Sequence, residues 1–83
     1  MNKGYIKWFN KERGYGFIVI DNESTYKESD GEEYKVYPGD DFFAPGVEFK
    51  DIDVATLKDN DRVTFDIGYG SRGRQAINIL VIK

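Results

Sequence analysis

Residues 13–20, Arg-Gly-Tyr-Gly-Phe-Ile-Val-Ile, constrain the fold more than any other stretch of this 83-residue chain. Tyr15–Ile20 is aromatic and β-branched, follows a polar turn, and predicts a strand. Period two puts Tyr15, Phe17 and Val19 on one face and Gly16, Ile18 and Ile20 on the other. The aliphatic face belongs in a core, which leaves the rings outside. Tyr5-Ile6-Lys7-Trp8-Phe9 is a second run of the same kind. It is separated from the first by Asn10-Lys11-Glu12-Arg13-Gly14, so the two predict a hairpin.

The remainder also reads as strand. Val63-Thr64-Phe65-Asp66-Ile67 alternates apolar and polar, and Ala76–Ile82 is a β-branched final strand. Gly68–Gly73 between them reads as a loose connection. Residues 50–60 build no helical stripe. Short strands separated by turns predict an all-β domain, a small barrel or sandwich, spanning residues 1–83 as one unit. A core this small supplies only about 3–5 kcal/mol.

Composition removes several classes of function. With no cysteine there are no disulfides, thiol chemistry or Cys-built zinc sites, and with no histidine the usual general base is absent. No enzyme activity, metal, cofactor or small-molecule substrate is expected. Gly68-x-Gly70-x-x-Gly73 has dinucleotide-fingerprint spacing but joins two strands with no helix after it. The acid pairs Asp40-Asp41, Asp51/Asp53 and Asp59/Asp61 lack the calcium-loop pattern. Apolar runs such as Ile79–Ile82 fall far short of the ~18 residues of a membrane span. No leader is visible, so a cytoplasmic monomer is the expectation.

The net charge of −3 is unevenly distributed. Residues 1–20 carry Lys3, Lys7, Lys11 and Arg13 against Glu12. Residues 62–83 carry Arg62, Arg72, Arg74 and Lys83 against Asp66. Residues 21–61 carry thirteen acids against four lysines. Both ends are basic around an acidic middle, and ends that meet in one sheet make a positive strip despite the acidic total. Within the middle, residues 21–39 read as an insertion. Asp30-Gly31 is a two-residue hairpin turn that pairs Lys27 with Tyr34, predicting a long protruding hairpin between barrel strands 2 and 3. Carried into the barrel, that register needs one extra residue absorbed by a bulge near Pro38-Gly39 if Phe43 is to lie beside Phe17.

Exposed rings on a strand invite stacking by bases, at about 1–3 kcal/mol each. Lys7, Lys11 and Arg13 beside them are suited to phosphates. The pattern Gly4-x-Ile6-Lys7-Trp8-Phe9-Asn10-x-x-Arg13-Gly14-Tyr15-Gly16-Phe17-Ile18 resembles the opening signature of the cold-shock domain. Leu57-Lys58-x-x-x-Arg62-Val63-x-Phe65 and Arg72-Gly73-x-Gln75-Ala76-x-Asn78-Ile79 resemble that family's last two strands. Together they cover about two thirds of the chain. The resemblance implies a five-stranded antiparallel OB-type barrel that binds single-stranded RNA or DNA. The RNA-recognition fold that shares the short ribonucleoprotein motif needs two helices that are missing here.

Residue by residue, the resemblance implies stacking by Trp8, Phe17 and Phe43, with rim contacts from Phe9 and Tyr15. Lys7, Asn10, Arg13 and Arg72 are implied as polar or phosphate contacts, with Lys11 alongside. The family's second motif, Phe-Val-His-Phe, is here Phe43-Ala44-Pro45-Gly46, so two stacking side chains are missing. A later aromatic matches Val54, with Phe49 nearby as a substitute. The expected function is passive single-strand binding that opens RNA hairpins by mass action, a chaperone or regulatory role. The alternative is a protein-interaction module whose acidic 21–39 hairpin docks on a partner.

Overall fold

Asn2–Asn10 (β1) and Tyr15–Ile20 (β2) form the expected first hairpin in a computed structural model that describes residues 1–82. Asn10 holds its turn, with the side-chain oxygen accepting the Arg13 N–H at 3.0 Å and the carbonyl accepting the Gly14 N–H at 2.8 Å. Five further strands follow: Ser24–Lys27 (β3), Glu33–Val36 (β4), Asp41–Pro45 (β5), Arg62–Gly70 (β6) and Gly73–Val81 (β7). Single 3₁₀ turns at Gly46–Glu48 and Val54–Thr56 occupy the β5–β6 connection.

The barrel closes in the order β1-β2-β5-β7-β6, and β6 pairs back onto β1. Its pairings are antiparallel except the β5–β7 seam, which is parallel and rests on Phe43 opposite Gln75. Ile18, Ile20, Phe42, Phe65, Ala76 and Ile79 fill the interior and are almost wholly excluded from solvent. The face assignment of β2 therefore holds: Ile18 and Ile20 point in, while Phe17 stays half-buried outside. Gly16 lies where a Cβ would meet the Trp8 carbonyl at 2.2 Å, so this inward position admits only glycine.

Two bulges set which side chains reach which face. On β1 the register slips between Ile6 and Trp8, so Lys7 is an extra residue and alternation restarts after it. Trp8 thus lies opposite Phe17 on the outside, while Phe9 turns inward against the core and meets Phe49 edge-on at 5.4 Å. On β7 the slip falls at Asn78, which adopts φ 49° and donates its side-chain amide to Asp66 at 3.3 Å. Asparagine tolerates this left-handed conformation better than most residues.

Two expectations are corrected. Gly68–Gly73 is not loose: β6 and β7 run to Gly70 and Gly73 around a two-residue turn, with Gly73 at φ 91°. The insertion is not a continuation of the second and third barrel strands. β3 and β4 form their own two-stranded sheet, pairing Ser24 with Val36 and Tyr26 with Tyr34. The loop is three residues, Ser29-Asp30-Gly31, rather than two. Gly31 sits at φ 82°, Asp30 accepts the Glu32 N–H at 2.9 Å, and Gly31 N–H closes the turn on the Glu28 carbonyl. That loop puts the hairpin in the same register as Phe17 opposite Phe43, so no bulge near Pro38-Gly39 is needed. Instead Tyr37-Pro38-Gly39-Asp40 is a tight turn with Gly39 at φ 99°.

The turned hairpin packs back on the barrel. Val36 is only 1% exposed within the core and Tyr26 packs against it, while β3 lies along β6. The Tyr26 and Tyr34 rings stack at 5.6 Å. Partial burial and then the hydrogen bond to Glu28 raise the Tyr26 pKa; the hydrogen bond to Asp30 raises that of Tyr34.

Candidate nucleic-acid interface

Three neighbouring strands place one ring each in a row. Trp8 on β1 is paired with Phe17 on β2, and Phe17 with Phe43 on β5. Ring centroids are 5.2 Å apart for Trp8–Phe17 and 6.0 Å for Phe17–Phe43. Tyr15, two residues before Phe17, joins from the next row at 5.7 Å from Trp8 and 5.5 Å from Phe43. All four rings are half-buried, so each presents an open surface in a continuous apolar platform. Period-two alternation creates this face on β2 and β5, and the Lys7 bulge adds Trp8 to it.

Charges flank the platform. The Arg72 guanidinium sits 5.1 Å above Phe43, and Lys7 reaches Asp41 at 3.6 Å. Phe17, Asp41, Phe43, Arg72 and Arg74 line a shallow depression of about 290 Å³. Arg74 pairs with Asp40 at 3.7 Å and lies 4.6 Å over the Phe42 ring, closing the barrel wall beneath it. Both ion pairs are partly solvated, so each contributes little to stability. They do hold the basic side chains at the edge of the rings. With β1 beside β6 and β6 beside β7, the two basic ends of the chain meet as expected.

The structure thus brings together Lys7, Trp8, Tyr15, Phe17, Phe43 and Arg72. Arg13 is exposed in the adjoining turn, and the Asn10 side chain is engaged in holding that turn. Phe9 is on the core side. Lys11 lies apart from the rings, lining a separate groove with Leu57, Lys58 and Ile82. Phe49 does not substitute for the missing later aromatic, because it is 7% exposed and packed against Phe9. Asp41 and Arg74 belong to the depression and were not singled out from the sequence. Alternation on β5 gives the signal for Asp41, two residues before Phe43; Arg74 follows a turn, where alternation gives none. Among the described residues no group of three or more carboxylates is placed to hold a metal ion, and no helix is long and apolar enough to cross a membrane.

A closed five-stranded barrel with rings on β1, β2 and β5 and cations at their border is an OB-type barrel of the cold-shock kind. No protein-family model matches the chain. Curated relatives do. It is 35% identical to the cold shock protein of Arthrobacter globiformis over 82 residues, which covers 99% of this chain and 100% of that one. The major cold shock protein of Streptococcus pyogenes serotype M1 is 35% identical over 79 residues, covering 95% and 94% of the two chains. Cold shock protein CspB of Bacillus caldolyticus is 32% identical over 80 residues, covering 96% and 97%. The chain belongs to the cold shock protein family.

Proposed function

We propose that this protein binds single-stranded nucleic acid, RNA in the first instance, by stacking unpaired bases on Trp8, Tyr15, Phe17 and Phe43. The observation that carries the reading is the unbroken row of half-exposed rings with Arg72 poised over one end. Every base has a π-face, so a platform of this kind accepts many sequences. Lys7, Arg13 and Arg72 supply the phosphate contacts, and Lys7 exchanges Asp41 for phosphate on binding. The protein acts in the cytoplasm without catalysis: binding unpaired bases draws local RNA hairpins open by mass action. With Pro45 and Gly46 where the family carries a histidine and a phenylalanine, two stacking contacts are lost. Affinity falls accordingly, by about 2–6 kcal/mol if each ring has its usual value.

Trp8 lies within the platform, so its fluorescence reports occupancy. Titration with a short oligopyrimidine is expected to quench it saturably; an unchanged spectrum at high oligonucleotide concentration refutes the reading. Three phosphate contacts predict a slope of about −2 for log affinity against log salt, since single strands contribute about 0.7 per contact. A slope near zero with intact binding would assign the affinity to stacking alone.

A second reading has one observation in its favour. Residues 21–39 carry six carboxylates against Lys27 and Lys35, and this surface lies beside the barrel rather than across the rings. An acidic surface of this kind suits a basic protein partner better than a polyanion.

A further inference from the structure

The insertion has an open sheet edge, and its charge pattern matches itself. In β3–β4 the Glu28 N–H bonds the Glu32 carbonyl at 3.2 Å, so that pair faces inward across the ladder. Alternation makes Tyr26–Tyr34 and Ser24–Val36 inward-bonded pairs as well. The backbone N–H and C=O groups of Glu33 and Lys35 therefore point outward along the free side of β4. β3, not β4, is the strand lying along β6, and Glu33, Tyr34 and Lys35 are all exposed.

A two-fold axis allows only a few antiparallel pairings of this edge with itself, because Glu33 and Lys35 must meet outward-pointing groups. One puts Glu33 opposite Glu33 of the second copy, and another puts Lys35 opposite Lys35. The third puts Glu33 opposite Lys35 and Lys35 opposite Glu33, with Tyr34 on the axis. Only this third register sets unlike charges face to face. Charged edge residues ordinarily guard a strand against pairing; here they forbid two registers and support one.

We propose that β4 is a self-pairing edge through which two copies of this chain associate into a four-stranded sheet, β3-β4-β4-β3. Four backbone hydrogen bonds form at the Glu33–Lys35 pairs. The Glu33 and Lys35 side chains, opposite in direction to buried Val36, meet on the solvent face. Tyr34 shares the inner face with Val36 and is 38% exposed in the single copy. In the pair it meets its counterpart at the closer, non-bonded position, extending the Tyr26–Tyr34 stack across the axis. The edge is short, so association is weak and depends on concentration.

Sedimentation velocity from micromolar to millimolar protein tests this with charge exchange. Wild type is expected to shift toward dimer as concentration rises. Glu33→Lys, which moves the net charge from −3 to −1 by replacing one negative charge with one positive, faces lysine with lysine and is expected to remain monomeric. General charge repulsion predicts the opposite for that variant. The exchange E33K/K35E keeps the net charge and restores unlike pairs, so dimer returns. Hydrogen exchange of the Glu33 and Lys35 amides slows with concentration, while that of Tyr34, already bonded to Tyr26, does not. All these positions are exposed, and unchanged melting temperatures confirm that the variants fold. A wild type that stays monomeric at millimolar concentration overturns the proposal and leaves the edge to an extended peptide of another chain. A Glu33→Lys protein that associates as well as wild type also overturns it.

Discussion

Ile18→Ala is expected to leave the domain largely unfolded at 37 °C, while Phe17→Ala, one residue away, leaves it folded and impairs binding. Ile18 has no solvent exposure and stands between Ile6 and Phe42 in the two ladders that flank β2. Truncating such a side chain costs about 2–5 kcal/mol, lost transfer energy plus the cavity left behind. A core of this size supplies about 3–5 kcal/mol in all, so the loss consumes most of it. Phe17 keeps one ring surface in solvent and packs beside the platform rings Trp8 and Phe43. Its removal costs about 1–3 kcal/mol of binding, roughly a five- to 150-fold loss of affinity, with little change in melting temperature. Circular dichroism melts beside Trp8 quenching separate the two effects. If Phe17→Ala unfolds the protein and Ile18→Ala merely weakens binding, the two faces of β2 are the reverse of those described.

Replacing residues 23–37 by a two-residue turn is expected to destabilise the barrel. A freely protruding hairpin would be dispensable, but this one delivers Val36 to the core and seats Tyr26 against it. Burying one valine contributes about 1.5–3 kcal/mol, and the exposed surface beneath adds to the loss. Val36→Ala alone is expected to show a substantial part of the effect, and Lys35→Ala, next to it on the open edge, almost none. Chemical denaturation of the three variants measures this. An excised protein as stable as wild type would mean that the barrel end closes without the insertion. In the fraction that stays folded, oligonucleotide affinity is expected to be unchanged or higher, because five carboxylates have been removed. Weaker binding would instead bring the hairpin tyrosines into the platform.

Pattern alone gave the strands Tyr15–Ile20 and Val63–Ile67, and with them the inward set of Ile18, Ile20, Val63 and Phe65. Alternation is a strong signal where one face is aliphatic. Tyr15 and Phe17 on β2 followed from the same rule, whereas Phe43 on β5 was legible only through the resemblance to the cold-shock family. What pattern did not reveal was local backbone chemistry. Asp30-Gly31 suits a two-residue turn and equally the end of a three-residue one, and the choice rests on the side chain of Asp30 reaching the Glu32 N–H. The bulge at Asn78 needs a positive φ that no periodicity announces. Phe49 reads as an available ring until the 3₁₀ turn before it and the inward Phe9 draw it into the core. Lys11 was grouped with the phosphate contacts by proximity in sequence, but its side chain leaves the turn toward the opposite side of β1.

Lys7 gives β1 a change of phase partway along its length. Before it, even-numbered positions are sealed inside and tolerate little: Asn2, Gly4 and Ile6. After it the odd position, Phe9, is the inward one. The strand is therefore two half-strands with opposite grammar, joined by one residue that belongs to neither. Trp8 owes its place among the rings to strand length rather than to its own chemistry. Deleting Lys7 would remove the bulge and leave Trp8 opposite Phe17, whereas an added residue on β2 that gave Lys7 a partner would restore plain alternation, sending the indole into the barrel wall and swinging the Phe9 ring outward. On this strand the number of residues set against β2, more than the identity of any ring, decides which rings reach the platform.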